Sequence, residues 1–118
     1  MSLLKERVVY KPFEYPKAFD YYMKQQQAHW LWTEVPMAQD VTDWKTTLKD
    51  HEKNIVGGIL KGFAQTETVV NDYWTGLVTG WFRKPEVIAM ATTFGCFETI
   101  HAEAYSLLNE QLGLDNFA

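Results

Sequence analysis
One cysteine, Cys96, is all that the 118 residues contain. An internal disulfide is therefore excluded, and a single thiol fits a reducing compartment, here the cytoplasm. Basic residues are scarce as well, 11 against 15 acidic ones, and the net charge of −4 excludes the electrostatic footprint of a nucleic-acid binder. Apolar runs are broken every few residues, so none approaches the roughly 20 needed to span a bilayer. The first residues, MSLLKERVVYKPFEYP, lack an apolar signal core and read as neither a secretory nor a transit peptide. Internal repeats and low-complexity tracts are missing too. What is plentiful is apolar and aromatic side chain, 47% and 15% of the chain, which suffices for the core of one domain and is too much for a disordered segment.

Punctuation divides the chain. Pro12 and Pro16 mark residues 1–16 as an extended arm. A short helix is predicted from Lys17 to about Ala28, ending at the aromatic cluster His29-Trp30-Leu31-Trp32. Thr33 to Thr42, with Pro36, reads as a loop, and Asp43 or Asp50 is placed to cap the next helix. Two long helical patterns come next, roughly 47–81 and 85–112. Between them lies the turn Phe82-Arg83-Lys84-Pro85, where proline suits the first helical position, and Gly113 suits a helix stop. The fold class is all-α, with an antiparallel helical hairpin over about 47–112 at its centre.

The hairpin carries two seams in which apolar residues recur at alternating steps of four and three. In the first they are Val56, Leu60, Phe63, Glu67, Val70, Trp74, Leu77 and Trp81. In the second they are Val87, Ala91, Phe94, Glu98, His101, Tyr105, Leu108 and Leu112. Such spacing keeps one helical face toward a partner, so every position should be apolar. The middle of each seam breaks that rule, with Glu67 on one side and Glu98 and His101 on the other. Both glutamates lie roughly 21–23 Å from the turn at 1.5 Å per residue, so an antiparallel hairpin sets them at one level. A neighbouring stripe of the first helix, Gly62, Thr66, Val69, Tyr73, Gly76 and Gly80, is small enough to suggest a second helix packed close against it.

Buried carboxylates cost several kcal/mol unless protonated, paired or bound to metal. Neither seam offers a lysine or arginine, whereas a divalent cation would neutralise two carboxylates beside an imidazole. Glu-x-x-His on one helix and Glu on the next is the half-site of carboxylate-bridged di-metal proteins built in helix bundles. Such donors suit iron or manganese better than a thiolate-preferring metal. The remaining polar residues have simpler readings. Tyr105 fits either a core tyrosine or a redox residue beside the metal. Cys96 reads as a small buried hydrophobe, His51 as a solvated first turn, His29 as part of a bundle-end cap, and Glu103 and Glu110 as surface charges.

The stretch FETIHAEAY, preceded by GFAQTETVVNDYW, resembles the small, radical-generating subunit of class I ribonucleotide reductase, and QQQAHWLWTEVPM is similar to the segment ahead of that family's first ligand. The resemblance implies a ferritin-like fold and a di-iron centre, with manganese as the alternative metal. It implies Glu67, Glu98 and His101 as metal ligands, Tyr105 as the radical residue, and Trp30 as the electron relay, with Trp32 next in register. It also implies a large catalytic subunit as partner and deoxyribonucleotide synthesis as the role. The family fold carries a second hairpin with a second Glu and a second E-x-x-H. Residues 1–118 hold one such set, so they read as a single partial ferritin-like domain, half of a four-helix bundle, completed by homodimerisation. Two other classes stay open at this point: a ferritin-like di-iron binding or oxidase protein, and a non-catalytic helical oligomerisation module.

Overall fold
The computed structural model describes residues 2–114, and among these every regular element is helical. Helix α1 spans Pro16–Gln27, a 3-10 turn Trp32–Glu34, α2 Ala38–Thr46 and α3 Asp50–Asp72. A π-helical segment, Tyr73–Val78, continues directly into the short α4, Thr79–Trp81, and α5 runs over Pro85–Gln111. Among the described residues no helix is long and apolar enough to cross a membrane.

Proline opens α1 and α5, where its missing N–H costs nothing. At the far end of α5 the Gly113 N–H bonds to Glu110 O at 3.1 Å and the Leu114 N–H to Asn109 O at 2.8 Å. Gly113 has φ +74°, so this is the doubly bonded helix stop that glycine permits. Two local expectations change. Residues 33–42 are not simply a loop, because α2 forms once Pro36 is passed and carries Asp43 inside it. Asp50 lies in the first turn of α3, and the cap there is Glu52, whose carboxylate accepts from the Lys49 N–H at 2.7 Å.

Residue contacts divide the described residues into two compact units, one of residues 2–29 and 69–98, the other of residues 30–68 and 99–114. In the first unit Val78, Val87 and Ala91 form the core, with Ala18, Trp74, Phe82 and Met90 packed against it. Trp74 meets Phe94 edge to face at 4.9 Å. The seam count places Leu77 inward, yet Leu77 is 44% exposed and Val78 only 4%. The π segment is the cause. Its wider turns take up an additional residue, so the inward phase passes from 77 to 78 and Trp81 is left exposed.

The arm of the same unit has no regular structure but is firmly tied. The Glu86 carboxylate, 0% exposed, accepts from the Arg7 guanidinium at 2.5 Å and from the N–H groups of Glu14 and Tyr15 at 2.8 and 3.2 Å. Lys84, 2% exposed, pairs with Glu14 at 2.5 Å. Burial pushes the Glu86 carboxyl up, but its own backbone N–H, those of Tyr15 and Glu14, and the Arg7 guanidinium outweigh this and hold it below the ordinary 4.5. The hydrogen bond from Lys84 chiefly holds Glu14 low as well.

In the second unit, residues of α3 and α5 pair antiparallel. Phe63 packs on Tyr105 with ring centroids 5.3 Å apart, and Asn109 Nδ2 reaches Leu60 O at 3.5 Å. Trp44 of α2 lies over Gly57 of α3, where an added Cβ would find the indole at 3.5 Å. In the small-residue stripe an added Cβ at Gly62 or Gly80 would meet nothing within 4 Å among the described residues. The close approach occurs at Gly95 of α5 instead. A Cβ there would stand 2.4 Å from Thr75 Cγ2, so any larger residue forces the Thr75 side chain to shift.

Candidate metal centre
Helical periodicity decides which side chains of α5 share a face. Glu98, His101 and Tyr105 step by three and four along one uninterrupted helix, so they stack as successive rungs. Within the second unit, Glu67 of α3 reaches this ladder, its Oε2 lying 3.6 Å from His101 Nδ1. Two donors on one metal, each at about 2.0–2.2 Å, stand no more than about 4.4 Å apart, so this separation suits a shared ion. Glu67, Glu98 and His101 are each half-buried, and each offers a donor atom of the kind a metal takes. Two carboxylates and one imidazole are the donor set expected of iron or manganese.

The surroundings of His101 and Tyr105 are aromatic. Trp30 stacks on the His101 ring at 5.6 Å with an interplanar angle of 20°. Trp32 opens the 3-10 turn two residues later. His101 and Tyr105 also line a cavity of about 290 Å³ with Trp30, Val35, Met37, Ala104 and Leu108. Apolar walls of this kind lower the local dielectric and strengthen charge interactions inside.

Four of the sequence candidates, Trp30, Glu67, His101 and Tyr105, thus belong to one unit, with Glu98 a turn before His101 on the same helix. Cys96 departs from its expectation, being exposed rather than buried. Two residues back from Glu98 is about 200° around the helix, so the thiol points away from the seam. It lines a separate cavity of about 370 Å³ with Gln26, His29, Thr92, Thr93 and Phe97. His29 packs its ring on Phe97 at 5.6 Å, and Glu103 and Glu110 are exposed as expected. The periodicity did not reveal Asn71, one turn beyond Glu67, whose side-chain amide donates to the Gly95 carbonyl at 2.7 Å. The only sign of it was a polar residue beside the seam.

A helical hairpin that carries glutamate on one helix and Glu-x-x-His on the other, with tyrosine on the next rung, has the make-up of a carboxylate-rich metalloprotein of the helix-bundle kind. Comparison with known proteins gives the family. Residues 7–117 match the family model of the ribonucleotide reductase small chain. The chain is 42% identical over 115 residues to a probable ribonucleoside-diphosphate reductase small subunit of Invertebrate iridescent virus 6, covering 97% of this chain and 32% of that protein. It is 31% identical over 109 residues to the ribonucleoside-diphosphate reductase small subunit of Dictyostelium discoideum, covering 90% and 31%. With the small chain 1 of Saccharomyces cerevisiae it shares 27% over 107 residues, covering 88% and 26%. The chain belongs to the ribonucleotide reductase small-chain family. It spans about a quarter to a third of the length of these relatives.

Proposed function
We propose that this chain supplies the first half of a di-iron centre that generates a tyrosyl radical for ribonucleotide reduction. The approach of Glu67 to His101 at 3.6 Å, with Glu98 one turn before and Tyr105 one rung beyond His101 on α5, supports the reading, and family membership gives it context. Glu67, Glu98 and His101 would hold the metal, iron first and manganese as the alternative, and bound iron would supply activation of O₂. A cation held there would offset the charge of two half-buried carboxylates. Tyr105, one rung beyond His101 on α5 and with its ring packed on Phe63, carries the radical. Trp30, stacked on His101, relays an electron toward the site. The full activity requires the large catalytic subunit, and the setting is the cytoplasm.

A homodimer would complete the ligand set. In the first unit Val69, Tyr73, Leu77 and Trp81 are exposed, and in the second Ile55, Ile59 and Phe63. Covering such side chains is worth about 1.5–3 kcal/mol each when fully buried. Two copies related by a two-fold axis would bring four carboxylates and two imidazoles together, the complement of a two-metal bundle site.

The test is anaerobic loading with Fe(II), exposure to O₂, and EPR of the wild type beside Tyr105→Phe. The expected result is a tyrosyl signal in the wild type and none in the variant, with iron content equal in both. A signal of equal size in the variant would move the radical to another tyrosine, Tyr73 being one. Iron without any radical would leave a ferritin-like oxidase, and no iron at all would leave a helical oligomerisation module.

A further inference from the structure
Two observations in the first unit converge on the interval between the ligand-bearing turns. Asn71 stands four residues after Glu67 on α3, and Gly95 stands three residues before Glu98 on α5. The Asn71 amide donates to the Gly95 carbonyl at 2.7 Å in a partly buried setting. The same glycine is a point of close approach, with Thr75 Cγ2 2.4 Å from the position of an added Cβ. A helix carbonyl has two lone pairs, and the ladder within the helix uses one. Asn71 can therefore bond across without costing α5 its own hydrogen bond.

Packing alone lets two smooth helices slide, because apolar contacts are not directional. A hydrogen bond set beside a glycine notch is directional and has one geometry. We infer that Asn71 is a positioning residue for the metal: its bond to the Gly95 carbonyl fixes the register of α3 against α5, and so the presentation of Glu67 and Glu98 one turn away on either side. This rests on the metal reading of Glu67, Glu98 and His101. Asn71 itself touches no metal. It acts through the backbone, and a misplacement of a few tenths of an ångström at the clamp passes along a rigid helix to the ligand turn.

The experiment titrates the full chain with cobalt(II), whose visible absorption reports ligand geometry, and follows the helical signal of the metal-free protein by circular dichroism. Asn71→Leu keeps the volume and removes the donor. The expected result is unchanged helix content, an affinity for cobalt lowered about tenfold, the low end for groups that orient ligands, and a displaced visible band. A merely structural bond would lower the melting temperature but leave the affinity and band where they are, and that outcome overturns the proposal. Should Asn71→Leu not fold, Gly95→Ala is measured instead. Its methyl group has to part Thr75 from α5 at the same point, so an unchanged band and affinity there overturn the proposal equally. Cobalt bound by the wild type with unmoved variants refutes the clamp alone, whereas no cobalt on the wild type refutes the metal reading and the clamp together.

Discussion
Replacing Glu86 by alanine should destabilise the chain more than any single change at the seams. The carboxylate is fully buried and accepts from the Arg7 guanidinium and from two backbone N–H groups. Alanine strips the guanidinium, only 14% exposed, of its nearer carboxylate and leaves it Glu14 alone at 3.4 Å, and it leaves the Glu14 and Tyr15 N–H groups without that acceptor. Removing one member of a buried pair costs about 3–5 kcal/mol. Against a typical total of about 5–15 kcal/mol, that is a large share. Urea unfolding at pH 7 reads it directly. With a slope of about 2 kcal/mol/M, the midpoint should fall by roughly 2 M. Acid provides a second check. Glu86 and Glu14 both titrate below 4.5 in the folded chain, so their stabilisation is present above that value and is lost as the pH falls through their folded values. The gap between wild type and Glu86→Ala should therefore shrink below about pH 4.5. A midpoint change under about 0.5 M at pH 7, or a gap that stays constant down to pH 3, would refute the account.

Glu98→Ala or His101→Ala should abolish tight metal binding, since each removes a donor and leaves the others uncompensated; metal content per chain equal to wild type in either variant would count decisively against the site. Metal loading should also raise the melting temperature of the wild type and leave that of these variants unmoved, because a ligand stabilises only the state that binds it. In solution the chain should sediment as a homodimer, with two metals per dimer, and a monomeric mass would remove the shared-site idea.

The hairpin and its polar middle were legible because both depend on local periodicity. Steps of four and three fix a helical face whatever the tertiary surroundings, and a glutamate on such a face is conspicuous. Gly113 and Pro85 were legible for a similar reason, since backbone dihedral demands act within a few residues. The Arg7, Glu14, Lys84 and Glu86 network was not. All its bonds but the Arg7–Glu14 pair join residues 70 or more positions apart, and charged side chains beside a turn look solvated until the arm is folded over them. The π segment was hidden because a seam counted at the α-helical period has no means of noticing one residue too many. Cys96 was misread from composition, cysteine being commonly buried, although its angle from the seam already pointed outward.

The wider turns at Tyr73–Val78 also determine where this helix tolerates a change in length. Loss of one residue inside that segment can be healed by tightening to the α-helical step, and α3 from Asp50 to Asp72 keeps its rotation. Loss of one residue between Asp50 and Glu67 has no such remedy, and swings everything upstream of it by about 100° relative to Glu67. The helix thus has a length-adjusting joint on the turn side of the ligands and a rigid rod on the other. Insertions and deletions tolerated by a folded, metal-competent chain should gather at the joint, and their distribution along the sequence would mark its position.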